Sequence, residues 1–227
     1  MTSNTYFMGL DIGQARDYTA LAIIERNPVS VSVSENEMFS GSSSMESRLN
    51  LEYNLRHCER LPLETSYTNV EEYIYKMVQQ FKQQNVPLFL VVDATGVGRA
   101  IIDSFKLKGL QPIPVTVTGG QHTSFEKGYW SVPKRDLVSV PKVLLGKKRL
   151  KIAKGTPFRE TLMKELQNFH VKVNIATGHD SYEAWREGEH DDLVFAVSLA
   201  CWYAQKKGES GFMPVIVGEG MGTILPG

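Results

Sequence analysis

The sequence predicts an α/β protein built on one mixed sheet, a three-strand antiparallel meander continued by parallel strands and flanked by helices. Three observations carry this reading. The first 60 residues hold β-rich runs joined by short connections, the pattern of hairpins. From Thr68 onward, helical and strand-like stretches alternate, as they do in βαβ units. Between them Leu88 to Val92 is an unbroken apolar run, which suits a strand covered by helices on both faces.

Taken in order, Tyr6–Ile12 reads as the first strand, and residues 13–17 as the turn after it. Thr19–Glu25 returns as its hairpin partner, and Asn27-Pro28 is expected to break it. Val29–Val33 extends the sheet, Ser40–Ser44 is a Ser/Gly loop, and Arg48–Arg60 is the third strand. Val70, Tyr73, Ile74, Met77, Val78 and Phe81 then recur at helical spacing, with Thr68 as N-cap and Glu71 completing a capping box. After the central strand comes a helix from about Val97 to Leu107, stopped by Gly109, and a strand over Pro112–Thr118. Gly119-Gly120 opens an irregular region. Lys134–Leu145 is helical with Pro141 inside it, Arg149–Ile152 a short strand, and Thr156-Pro157 the start of an amphipathic helix marked by Phe158, Leu162, Leu166 and Phe169. Val171–Ile175 reads as another strand, Asp180–Glu189 as a polar loop, and Asp191–Gln205 as a buried helix. One domain over residues 1–207 results, with an insertion at about 119–180 and a Gly-rich tail over 208–227.

Bulk charge selects no partner, because 25 basic and 25 acidic residues cancel. Their distribution is more informative. Residues 127–154 hold nine basic side chains against Asp136 alone, while residues 180–192 hold six acidic ones against Arg186 alone. A basic strip beside an acidic cluster suits a polyanion held near carboxylate-bound metal, and equally suits two solvated faces of opposite sign. The two cysteines, Cys58 and Cys201, have no metal-type spacing, and a reducing compartment is expected. No basic-then-apolar leader opens the chain, and no apolar stretch reaches the length of a membrane-spanning helix.

Chemistry concentrates on four carboxylates. Asp11 and Asp93 each end a predicted strand, the rim where α/β sheets place ligands, and Asp191-Asp192 opens the last helix. Hard oxygen donors brought together from separate elements are what a pair of divalent cations needs. Such a pair, about 4 Å apart, can activate water and stabilise a leaving oxygen in phosphodiester hydrolysis. Each residue also has a plain structural reading: a turn aspartate at Asp11, a helix cap at Asp93, and dipole complementation at Asp191 and Asp192. Asp17 reads as a turn former, and His179 and His190 as loop residues near the site with the option of proton transfer. Lys127, Lys134 and Arg135 are candidates for phosphate contacts. The Gly96-Val-Gly98 turn lacks the Gly-Lys-Ser/Thr ending of a phosphate-binding loop.

The order of elements is that of the ribonuclease H-like fold, and the acidic motifs resemble a family within it. Gly9-Leu-Asp-Ile-Gly13, Val91-Val-Asp-Ala-Thr-Gly-Val-Gly98 and His190-Asp-Asp-Leu-Val-Phe-Ala-Val-Ser-Leu-Ala200 are similar to the three acidic motifs in the nuclease domain of the large terminase subunit of tailed bacteriophages. Tyr129–Leu137 and Leu150–Ile152 resemble that family's insertion after the fifth strand. The resemblance implies a DNA endonuclease that cuts concatemeric viral DNA during genome packaging. It implies two Mg²⁺ or Mn²⁺ ions, with Asp11 bridging them, Asp93 at one, Asp191 at the other and Asp192 as an accessory ligand or helix-start residue. It further implies double-stranded DNA as substrate, and the cytoplasm of the infected bacterial host as location. A packaging ATPase domain preceding the nuclease, the portal and the small terminase subunit would be partners. Glu71 and Glu72 do not replace the helix glutamate of cellular ribonucleases H, a departure that agrees with the terminase pattern. Two other readings share features with this one. A Holliday-junction resolvase has the same fold and acidic motifs. Sugar kinases and actin-like ATPases also begin with a Gly-x-Asp-x-Gly strand, but need a second phosphate motif and a duplicated domain.

Overall fold

The computed structural model describes residues 4–13, 17–29, 50–175 and 191–209. Strand β1 (Thr5–Asp11) pairs antiparallel with β2 (Ala20–Val29), which pairs antiparallel with β3 (Asn50–Arg60), so the expected meander is present. Helix α1 (Tyr67–Gln83) leads to β4 (Leu88–Asp93), α2 (Gly98–Leu107) and β5 (Ile113–Thr118), with β4 parallel to β1 and β5 parallel to β4. The chain continues through β6 (Ser124–Glu126), β7 (Tyr129–Pro133), α3 (Lys134–Gly146), β8 (Leu150–Ile152), α4 (Arg159–Ile175) and α5 (Asp192–Glu209). Among the described residues the sheet has eight strands in the order β6-β7-β5-β4-β1-β2-β3-β8. This is the ribonuclease H-like arrangement.

Strand alternation sorts the core into two layers. Met8, Leu10, Ile12, Leu90 and Val92 face one side, where they meet Val70, Ile74 and Val78 of α1 and Ile101, Ile102 and Phe105 of α2. Phe7, Ala20, Ala22, Val91 and Val115 face the other, under Leu137 and Leu144 of α3, Leu162 and Leu166 of α4, and almost the whole of α5. Helix α5 is buried nearly all round because it lies directly on the sheet. A Cβ on Gly9 would stand 2.0 Å from the Ala196 carbonyl oxygen and 2.9 Å from the Ala200 nitrogen, so only glycine admits this approach.

Several local expectations are corrected. Asn27-Pro28 does not end β2, which runs on to Val29 against β3. Pairing with β1 stops at Arg26, so Pro28 has only one neighbouring strand, and an edge position tolerates a missing N–H. Helix α1 is capped by Ser66, whose hydroxyl accepts from the Asn69 N–H, rather than by Thr68. Glu71 therefore completes no capping box; it accepts from the Ser104 hydroxyl and lies 3.5 Å from the Lys108 ammonium. The region after Gly120 is not irregular throughout, since β6 and β7 form a hairpin that extends the β5 edge, while β8 closes the far edge beside β3. Val171–Ile175 belongs to α4 and is not a strand, the helix overriding β-branched propensity. Gly109, with φ +74°, follows α2 as anticipated. Expectations for residues 30–49, the 180–189 loop, His179, His190 and the tail beyond 209 lie outside the described residues.

Candidate active site

Asp11 and Asp93 reach the same place by strand geometry alone. β1 and β4 are adjacent and parallel, with Leu10 opposite Val92, so the next residue of each strand stands side by side at the C-terminal rim. Because alternate residues share a face, Asp11 follows Phe7 and Gly9, and Asp93 follows Phe89 and Val91, onto the α5 side. The Asp93 carboxylate accepts the Thr95 N–H at 2.8 Å, a bond within the turn; it does not cap α2, whose N-cap is Val97 with no side-chain hydrogen bond. Behind it a Cβ on Gly98 would lie 1.9 Å from the Asp93 carbonyl oxygen, which keeps the turn into α2 tight.

The start of α5 supplies the remaining carboxylates. Asp192 shares a helical stripe (i, i+4, i+8) with Ala196 and Ala200, the residues pressed against Gly9. Its side chain is 10% exposed, whereas that of Asp191 is 32% exposed and lies 3.8 Å from the Lys134 ammonium. Burial and neighbouring charge both act on these groups. The Asp11 carboxyl is pushed well above the ordinary aspartate range by burial first, then by the negative charges of Asp93, Asp192 and Asp191, with Lys134 opposing. Burial also raises Asp93, against the Thr95 hydrogen bonds and Lys134.

Lys134 therefore faces the acidic cluster from the first turn of α3, with its ammonium also 4.6 Å from the Phe195 ring centre. Arg135 is largely exposed beside it, donating to the Gln121 carbonyl at 3.1 Å and lying 3.5 Å from Asp136. Lys127 is elsewhere: it sits in the β6–β7 turn, at the start of β7, while Asp93 and Lys134 lie at the finishing ends of the parallel strands β4 and β7. Asp17 is exposed.

Two buried charges had escaped the sequence reading. Glu165 of α4 accepts the Arg60 guanidinium at 2.6 Å through Oε1 and the Val194 N–H at 3.1 Å through Oε2. Arg60 also lies 3.3 Å from the Asp192 carboxylate. Burial pushes the Glu165 carboxyl up to about 7, with Arg60 and the Val194 N–H pulling the other way. One signal was available: Glu165 stands between Leu162 and Leu166, three residues from the first, on the apolar stripe of α4.

The donor chemistry fits a hard divalent cation, since the oxygens belong to carboxylates whose mutual repulsion in a buried place a dication would relieve. Among the described residues, no three acidic, histidine or cysteine side chains already stand together as a closed metal-holding group. No described helix is long and apolar enough to cross a membrane.

No family model matches the chain. It is 29% identical over 124 residues to the large terminase subunit of Thermus phage G20c, and to the same extent to that of Thermus virus P23-45. The matched stretch is 55% of this chain but 22% of each of those proteins, so the chain corresponds to a small part of its relatives. A solved structure of the large terminase nuclease from thermophilic phage G20c overlays with a TM-score of 0.48 and 17% identity, covering 89% of this chain and 82% of the other.

Proposed function

We propose that this chain, related in sequence to phage large terminase subunits, is their nuclease part: a metal-dependent endonuclease that cuts concatemeric viral DNA during packaging. One observation carries the reading. Carboxylates from β1, β4 and the start of α5 stand at one rim of the sheet, where burial first and then the charges of Asp93, Asp192 and Asp191 raise the proton affinity of Asp11. Clustered buried carboxylates are an electrostatic cost, and cation binding is the use that explains it best.

In this reading Asp11 stands centrally, flanked by Asp93 and by the α5 pair. Helical spacing and burial favour Asp192 as the third principal donor, with Asp191 at the mouth beside Lys134. Two Mg²⁺ or Mn²⁺ ions bound there would supply an activated water and a stabilised leaving oxygen. The Thr95 N–H orients Asp93, and α5 closes the inner side of the site. Lys134 balances the carboxylates in the resting protein and stands where a backbone phosphate would approach. Arg135 extends that positive edge; Lys127, at the other end of β7, would touch only a duplex crossing the hairpin. Double-stranded DNA is the proposed substrate and the infected host's cytoplasm the place of action. The packaging ATPase domain, portal and small terminase subunit are the proposed partners in the whole protein. The described fold offers no second phosphate motif or duplicated domain for a kinase or actin-like ATPase reading.

Supercoiled plasmid incubated with Mn²⁺ or Mg²⁺ tests this directly. The protein should nick and then degrade it, and Asp93→Ala should remove the activity. An Asp93→Ala variant that cuts normally would overturn the assignment.

A further inference from the structure

We propose that Arg60 and Glu165 are positioning residues, a buried pair that holds Asp192 over the sheet and so sets the geometry of the acidic cluster. The inference rests on the nuclease reading and adds to it two residues remote in sequence from every acidic motif.

Register places Arg60 for this task. Asp11 is opposite Ala20, and Ala20 is opposite Arg60, so the three lie in one row across β1, β2 and β3 at the rim. Arg60 also shares the parity of Cys58, which is buried on the α5 side. Its guanidinium stacks over the Tyr18 ring at 4.8 Å and is only 12% exposed. There it meets two carboxylates, Glu165 at 2.6 Å and Asp192 at 3.3 Å.

Glu165 does two things at once. Through Oε2 it accepts the Val194 N–H, one of the donors in the first turn of α5 that no helix carbonyl can satisfy. Through Oε1 it fixes the guanidinium that faces Asp192. The beginning of α5 is thereby tied to β3 and α4 by one carboxylate, and the Asp192 side chain is tied to the same cation. Stability alone explains this poorly, because a buried ion pair is often no more stabilising than apolar groups of equal volume. Orientation of a ligand explains it well: partners that orient donor side chains typically govern about 10–100-fold in metal affinity or activity.

The experiment compares the full chain with Glu165→Gln, Arg60→Gln and Arg60→Lys in three measurements: Mn²⁺ affinity by calorimetry, plasmid nicking resolved into kcat and KM, and thermal melting. Glu165→Gln is the conservative probe, since its amide oxygen can still accept the Val194 N–H while the negative charge facing the Arg60 guanidinium is removed. Glu165→Gln and Arg60→Gln should each weaken Mn²⁺ binding about tenfold or more and lower kcat with little change in KM for DNA. Arg60→Lys should recover part of both. Variants that bind Mn²⁺ and cut as the parent does, or that only melt earlier with Mn²⁺ affinity unchanged, would overturn the inference and leave the nuclease reading standing. A parent protein that neither binds Mn²⁺ nor nicks plasmid would instead bring down the nuclease reading, and this inference with it.

Discussion

Replacing Gly9 by alanine should unseat α5 and disable the site without touching any charged residue. The new Cβ would lie 2.0 Å from the Ala196 carbonyl oxygen, whereas real Cβ atoms essentially never come within 3.0 Å of such a neighbour, so helix and strand must separate by about 1 Å. Neither side can yield cheaply: the obstacle is backbone, and Ala196, Ala200 and their surroundings are fully buried. Overpacking of this kind costs about 1–3 kcal/mol. For a domain of this size that corresponds to a melting temperature lower by roughly 2–12 °C. The same displacement is passed along the stripe from Ala196 to Asp192, and a misplacement of about 1 Å at a catalytic group can cost about 10²-fold in rate. Melting followed by circular dichroism, together with Mn²⁺-dependent plasmid nicking, measures both effects. A Gly9→Ala protein that melts and cuts like its parent would refute the claim that this contact sets the position of α5.

Asp11→Asn should raise the melting temperature in metal-free buffer while abolishing nicking, and raise it more as pH increases, because it removes a carboxyl whose ionised form is opposed by burial and then by three acidic neighbours. A variant that melts earlier than the parent would count against that electrostatic account. The pH dependence of metal-free stability should carry the mark of Glu165, whose carboxyl moves from 4.5 to about 7 on folding. A raised carboxyl means that the folded state holds the extra proton between those values, so this contribution to stability falls as pH rises from about 4.5 to 7 and stays low above. Comparing melting curves of the parent and Glu165→Gln across that window should show a steeper decline in the parent, since the raised Asp11 and Asp93 carboxyls are common to both; identical slopes would contradict it.

The placement of Asp11, Asp93 and the Asp191-Asp192 pair at element ends could be read from residue order because it follows local rules. A strand-end aspartate on a β-rich run (Asp11), another after a fully apolar run (Asp93), and an acidic pair opening a buried helix each announce their element, and strand parity then decides which face they share. What distinguishes Asp192 from Asp191 is the contact of Ala196 with Gly9, which joins residues far apart in sequence and leaves no local trace. The Arg60–Glu165 pair spans 105 residues, and the place of Glu165 on the apolar stripe of α4 marks it as buried without naming its partner. Strands β6 and β7 were missed because they are short, and every residue of β6 is exposed, so no apolar alternation marks it. Thr68 with Glu71 has the residue types of a capping box, and only the extended backbone at Ser66, φ −62° and ψ 147°, shows that the chain turns two residues earlier.

The docking of α5 on β1 has a bearing on when the protein becomes competent. Asp11 belongs to the opening strand and Asp192 to the final described helix, so the two members of the proposed centre are 181 positions apart in the chain. Such long-range closure comes late in folding, after the loop entropy has been overcome. A ribosome-bound polypeptide that stops short of α5 would carry the strands with Asp11 and Asp93 but neither Asp191 nor Asp192. On the proposed nuclease reading, competence would therefore arrive with the seating of α5.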